Sequence, residues 1–314
     1  MSKTTYLKNR ILIVGGTGFI GTHIVKEALI RGLQVTIISK NHRALSDRIK
    51  DVKYLQVDIS NQDNLYNKLK DKTFQYVINL GGYVDHSNYS SGGDIVFNVH
   101  FNGTKSLINC INKDVLKSFI QIGSSDEYGA NDAPQIESQR EFPISPYSLA
   151  KTSSTHFLQM LYRTEQLPVV ILRPFLVYGP GQGMERFIPQ VIKGCIQGKE
   201  FPTSEGKQLR DFCFIDDFVL SVFSSIDNTK AFGEVINIAS GKPISIKNVV
   251  NKIQNIITIG SPQFGYTSYR AGENMELFAD ITKAKKLLNW EPKVSLEEGL
   301  KKTIDVIRNI NDEK

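Results

Sequence analysis

The chain has 314 residues, 40% hydrophobic and 22% charged, with a formal net charge of +6, enough for a sizeable core in one large or two unequal domains. Its lysines and arginines are spread rather than clustered, and no helix-turn-helix, zinc spacing or aromatic RNA-binding signature accompanies them, so nucleic acid is not an expected partner. Cys110, Cys195 and Cys213 lack metal-ligand spacing and read as reduced thiols; no metal is expected, no signal core precedes the first strand, and no run approaches the roughly 20 apolar residues of a membrane span, so the expectation is a cytoplasmic protein.

In chain order, Ile11 to Val14 reads as a buried strand running into Gly15, Gly18 and Gly21 and then into a helical pattern with Ile24, Val25, Ala28 and Leu29 on one face. Strand, glycine turn and helix opening make a pyrophosphate cradle. Gly15 permits the turn, Gly18 admits the ligand, Gly21 lets helix pack on strand, and the helix N-terminus receives the anion. A second strand, Gln34 to Ser39, ends in Ser39-Lys40-Asn41-His42-Arg43. No carboxylate stands there to repel a 2′-phosphate, and Lys40 and Arg43 can pair with one, which favours NADP(H) with NAD(H) as the alternative. Strand Lys53 to Val57 leads to Asp58-Ile59, whose carboxylate can accept from an adenine amino group. Strand Tyr76 to Leu80 ends in Gly81-Gly82, small enough for a cofactor to pass close by.

A long helix is expected from about 94 to 112, then strand Ser118 to Ile122, the loop Gly-Ser-Ser-Asp-Glu-Tyr-Gly (123–129), a helix from about 146 to 164, and strand Val169 to Leu172. This alternation means a parallel, doubly wound α/β sheet. Beyond Tyr178 the rhythm loosens into helices at 187–197, 216–226 and 246–257, a strand at 235–238 and a helical tail broken at Trp290-Glu-Pro292. The expected division is a dinucleotide-binding domain over 1–178 and a smaller C-terminal α/β substrate lobe over 179–314, with a chain crossing between them allowed. Asp216 and Asp217 are expected to cap the helix that follows them.

Tyr147-Ser-Leu-Ala-Lys151 carries the chemistry. Four residues apart on a helix, phenol and ammonium share a face. Free tyrosine titrates near ~10; a neighbouring ammonium favours the phenolate and makes an acid/base for a hydroxyl or carbonyl. Ser124 is placed to hydrogen-bond the same substrate oxygen.

These motifs together resemble the extended short-chain dehydrogenase/reductase superfamily, and within it the nucleotide-sugar epimerase/dehydratase/reductase branch. Further matches are Asn98-Val-His-Phe-Asn-Gly-Thr104, Leu172-Arg-Pro-Phe-Leu-Val-Tyr-Gly-Pro-Gly181, Gln208-Leu-Arg-Asp-Phe and Tyr269-Arg270. The resemblance implies a Rossmann-type fold and a catalytic set of Ser124, Tyr147 and Lys151, with Asp126 as a further acid/base. Implied cofactor contacts are Gly15, Thr17, Gly18, Phe19, Ile20, Gly21, Ser39, Lys40, Arg43, Asp58, Ile59, Leu80, Gly81, Gly82, Tyr147, Lys151 and Pro174. Implied contacts to a nucleoside diphosphate sugar are Ser125, Arg186, Gln208, Arg210 and Arg270, the last two on the diphosphate. An alternative for Arg210 is a structural ion pair with Asp211 or Asp216. Leu176 departs from the branch, where many members carry a substrate-contacting Asn. The wording of residues 123–129 is similar to GDP-4-keto-6-deoxy-mannose reductases, and later segments are similar to CDP-abequose synthase. The expected reaction is therefore NADPH-dependent reduction of an NDP-4-keto-6-deoxyhexose in deoxysugar or O-antigen synthesis. The alternatives are a 4-epimerase, a 4,6-dehydratase, or a non-catalytic NADP(H)-binding sensor or scaffold. A homodimer built on helices 94–112 and 146–164 is implied as well.

Overall fold

The computed structural model describes residues 9–41, 44, 46, 48–269 and 273–312. Seven parallel strands form the central sheet: β1 (Arg10–Val14), β2 (Gln34–Ser39), β3 (Lys53–Gln56), β4 (Tyr76–Asn79), β5 (Ser118–Ile122), β6 (Val169–Pro174) and, after an excursion, β11 (Val235–Ile238). Their order is β11-β6-β5-β4-β1-β2-β3. Alternate residues of β1 enter opposite layers, Ile11 and Ile13 in one core and Leu12 and Val14 in the other, as the two-residue period of a strand dictates. Helix α1 (Phe19–Ile30) packs on the first layer; α2 (Gln62–Leu69), α4 (Gly103–Cys110) and α5 (Pro146–Glu165) supply Leu65, Leu107 and Leu158 to the second. The strand order reverses between β1 and β4, and in a sheet of this kind the crevice beyond the carboxyl ends of those strands is the natural ligand site.

The helix expected as one piece over 94–112 is divided. Helix α3 (Gly93–Phe97) passes through a π-helical turn, Asn98–Asn102, before α4 begins. Thr104 donates to the carbonyl of His100 at 2.7 Å and accepts from Asn79 Nδ2 at 3.1 Å, so the Asn-Gly-Thr segment ties this turn to the end of β4. The same Asn79 side chain accepts from the Gly81 N–H at 3.0 Å.

The remainder is built from short pieces. β7 (Leu176–Tyr178) pairs with β10 (Phe212–Phe214), and α6 (Phe187–Ile196) lies between them in the chain. β8 (Glu200–Pro202) pairs with β13 (Ser261–Gln263), and β9 (Leu209–Arg210) lies between β12 (Ile244–Ser245) and β14 (Glu276–Leu277). Helices α7 (Ile215–Ser225), α8 (Ile246–Ile257), α9 (Thr282–Leu288) and α10 (Leu296–Asp312) complete the chain. α7 packs on α1 and leads into β11, so the central sheet takes residues from both sides of position 178. Val191, Phe218, Ile253 and Ile304 share one continuous core with α1.

Asp216 and Asp217 correct the capping expectation. The N-cap of α7 is Phe214, which makes no side-chain cap. Asp217 instead accepts from the Val294 N–H at 2.9 Å, and its carbonyl takes the Trp290 indole at 2.9 Å, docking the tail on α7. Among the described residues no helix is long and apolar enough to cross a membrane.

Candidate active site

The carboxyl ends of β1 to β6 open onto a cleft of about 1270 Å³. Its floor at one end is the glycine turn. Gly15 has φ +77° and donates to Ile38 O at 2.8 Å, and a Cβ on Gly21 would stand 2.3 Å from the Gly15 carbonyl. Gly18, the N-cap of α1, has no side chain to cap the helix, which opens onto the cleft. A Cβ on Gly18 would find only the Gly15 carbonyl nearby, at 3.5 Å. This is an anion cradle with room for a pyrophosphate, and the residues fit a dinucleotide.

At the far wall of that end Asp58 accepts from Ser60 N (2.9 Å) and Ser60 Oγ (2.7 Å), and its other oxygen lies 3.0 Å from Lys40 Nζ. Burial pushes this carboxyl up, but the Ser60 and Lys40 hydrogen bonds outweigh it and hold the group below its usual range. Lys40 thus faces a carboxylate, which the reading of the second strand did not include. Arg43 lies outside the described residues.

The chemical end is set by β5 and α5. Ser145 caps α5 by accepting from Ser148 N at 3.1 Å, Pro146 fills the first helical position, and the buried face that follows carries Tyr147 and Lys151. Lys151 Nζ donates to the carbonyl of Ile122, the last residue of β5, at 2.8 Å. Burial lowers its pKa to about 8, against the pull of Glu127 and Asp126. The Tyr147 phenol is pushed up, first by burial and then by the Asp126 carboxylate, with Ser124 opposing. The expectation of a depressed phenol is therefore corrected for the protein alone. Taking a phenolate out of water outweighs an ammonium that lies 5.8 Å from the ring centroid and is itself bound to a carbonyl.

The Ser124 loop is fixed from behind. Ser124 Oγ accepts from Asp126 N at 3.1 Å, and Ser124 N donates to Glu127 Oε1 at 2.9 Å. Glu127 Oε2 takes Thr155 Oγ1 (2.7 Å) and Arg173 Nε (3.0 Å), and Glu141 adds a second carboxylate to Arg173 at 2.6 Å. Asp126 faces forward instead. Burial raises its pKa, with His86 opposing, and His86 Nε2 lies 3.5 Å from its carboxylate.

Two histidines bracket the Tyr147 ring edge to face, His86 at 5.6 Å and His100 at 5.0 Å. His100 projects from the π-helical turn. Its Nε2 lies 2.8 Å from the Tyr83 carbonyl, and burial together with Lys151 lowers its pKa to about 3, so the ring is neutral. Neither histidine was picked out from the sequence, nor were Glu127 and Arg173. One signal was available: His100 lies inside the Asn98–Thr104 segment, whose Thr104 donates to its carbonyl.

The expected cofactor and catalytic residues within the described chain all line the cleft, as do Ser125, Arg186 and Leu176. Gln208 and Arg210 do not line it and are nearly buried. Arg210 pairs with Glu273 rather than with Asp211 or Asp216; Asp211 accepts from Ser240 N, Ser240 Oγ and Gly241 N. Arg270 lies outside the described residues. Among the described residues no group of three or more His, Cys, Asp or Glu side chains is placed to hold a metal ion.

Residues 11–239 match the model of the NAD dependent epimerase/dehydratase family. A UDP-glucuronate 4-epimerase of Thermodesulfobacterium geofontis is 28% identical over 309 residues, 94% of each chain. A dTDP-glucose 4,6-dehydratase of Xanthomonas campestris is 27% identical over 325 residues, 94% of this chain and 92% of that one. Among solved structures, the UDP-glucuronic acid 4-epimerase of Bacillus cereus, in complex with UDP-glucuronic acid and NAD, superposes with a TM-score of 0.84 at 28% identity, over 96% of this chain and 99% of that one.

Proposed function

This chain belongs to the NAD dependent epimerase/dehydratase family, and we propose that it exchanges hydride at C4 of a nucleoside diphosphate hexose, working as an NADPH-dependent reductase of a 4-keto-6-deoxy sugar. The observation that carries the C4 oxidoreductase reading is the convergence of Ser124, Tyr147 and Lys151 where β5 and α5 meet the cleft.

A nicotinamide dinucleotide held by the Gly15–Gly21 cradle would supply the hydride. Tyr147 holds the proton that passes to O4 as the carbonyl becomes a hydroxyl, and Ser124 donates a hydrogen bond to the same oxygen. Lys151 keeps a positive charge under the phenol, which stabilises the phenolate left behind.

The choice of reductase over dehydratase rests on Glu127. Eliminating water across C5 and C6 needs an acid and a base beside the sugar. Of the two adjacent carboxylates on this loop, Glu127 is fully buried against Arg173, leaving Asp126 alone to face the cleft. NADP(H) is favoured by a second strand that ends without a carboxylate of its own. A 4-epimerase using NAD is the second reading, supported by the epimerase relatives and by the NAD bound in the Bacillus cereus structure. We infer a homodimer as well, through α3–α4 and α5, whose outer faces expose Ile95, Leu149 and Met160; light scattering on the purified protein tests it.

The reaction is tested by incubating the protein with NADPH or NADH and a panel of NDP-4-keto-6-deoxyhexoses. Loss of reduced cofactor is expected. If none is oxidised while a plain NDP-hexose is converted to its C4 epimer, the second reading replaces the first.

A further inference from the structure

We propose that His86 and Asp126 form the sugar-recognition pair of the cleft, gripping the hydroxyls of a hexose beside the reacting carbon. This rests on the reading of the substrate as a nucleoside diphosphate sugar.

The placement is built rather than incidental. His86 sits in the loop after β4, and that loop is pinned on both sides of it. On one side the Tyr83 backbone holds His100 Nε2. On the other, Asp85 Oδ1 accepts from both Ser87 N (2.8 Å) and Ser87 Oγ (2.6 Å). Neither anchor uses the His86 imidazole, which is presented to the cleft 45% exposed, opposite an Asp126 carboxylate 31% exposed. Asp126 is equally fixed, since its own N–H is held by Ser124 Oγ and the next residue is locked on Arg173.

Any carbon reacting within hydrogen-bond reach of Tyr147 and Ser124 must lie next to this pair, because the His86 ring packs on the Tyr147 ring and Asp126 follows Ser124 by two residues. His86 Nε2 and one Asp126 oxygen face each other. That leaves a carboxylate oxygen to accept from one sugar hydroxyl and His86 Nδ1 for a neighbouring oxygen. The other charges acting on Asp126 are Glu127, Arg210 and Lys151. Two of these are already committed to ion pairs with Arg173 and Glu273, and the third donates to Ile122. The pair is thus a polar group at this wall still open to a ligand.

The test is calorimetric titration of the protein, with NADP⁺ present, against UDP-glucose, dTDP-glucose, GDP-mannose and CDP-glucose and against the four free nucleoside diphosphates. His86→Gln, His86→Ala and Asp126→Asn are compared with the wild type, and melting temperatures are followed in parallel. Asp126→Asn and His86→Ala are expected to weaken the preferred NDP-hexose roughly 10- to 100-fold, the range for a charge-assisted hydrogen bond, with the free diphosphate unchanged. His86→Gln should restore part of the loss. Equal weakening of sugar and diphosphate, or no weakening of either, overturns the pair while leaving the proposed function standing. Failure of the wild type to bind any of the eight overturns both.

Discussion

Arg173 and Glu127 meet where no water reaches: Nη2 stands 2.8 Å from Oε2, and both side chains are 0% exposed. The second oxygen of Glu127 takes the N–H of Ser124. A buried ion pair therefore holds the loop that carries Ser124, and it does so from strand β6, one strand over from the loop's own.

Glu127→Gln removes the charge but keeps an acceptor for Ser124. Stripping one partner from a buried pair costs about 3–5 kcal/mol. Glu141, which stays on Arg173, offsets part of that, so we expect a loss of about 2–4 kcal/mol in urea unfolding. An unchanged unfolding midpoint would mean that Glu141 alone neutralises Arg173.

Tyr147→Phe should leave the fold and nucleotide-sugar binding intact and cut turnover at least ~10²-fold, the usual size of a general acid–base contribution. Single-turnover measurement separates the two effects. A wild-type rate would remove the phenol from the reaction.

His100 makes stability depend on acid. Its folded pKa of about 3 lies below the ordinary value of 6.5, so between these limits the unfolded chain binds a proton that the folded one refuses. Stability is fully present above ~6.5 and falls as pH drops below it, by about 2 kcal/mol at pH 5 for this one group. His100→Gln should flatten that slope. Urea midpoints at pH 5 and pH 8 for both proteins decide it, and equal slopes would exclude His100 as the source.

Gly82→Ala should be strongly destabilising. Gly82 has φ +117°, and a Cβ there would lie 2.0 Å from His100 Cε1. Adding the methyl strains the backbone and pushes the ring that seats Tyr147. We expect a loss of roughly 1–3 kcal/mol together with reduced turnover, read by thermal melting and assay. A variant with wild-type stability would show the His100 wall to be soft.

Lys40→Ser tests the cofactor. If a 2′-phosphate is drawn to Lys40 from its contact with Asp58, the variant weakens NADPH binding several-fold and leaves NADH unchanged. Parallel losses for both cofactors would assign Lys40 to supporting Asp58 instead.

What could be read from the chain is what is local. The glycine turn follows an apolar strand directly, and Tyr147 and Lys151 lie one helical turn apart, so spacing alone puts them together. The π-helical turn escaped because one extra residue in a helical repeat leaves the apolar pattern nearly unbroken, and His100 then reads as an ordinary interior position. β7 and β10 are three residues each, too short for a two-residue period to declare itself. Glu127 and Arg173, 46 positions apart, find each other only through the register of β5 against β6. Arg210 is expected on a diphosphate, with Asp211 or Asp216 as alternative partners, whereas its actual partner Glu273 comes from beside β14. His86 stands in a loop with no period at all.

The return of the chain through α7 into β11 has a practical corollary for anyone wishing to dissect the molecule. Cutting after residue 178 would strip β6 of the neighbour it binds along Val235 to Ile238 and leave an unsatisfied, apolar border prone to self-association. The nucleotide-binding half is better isolated by grafting 215–238 back onto it than by truncation.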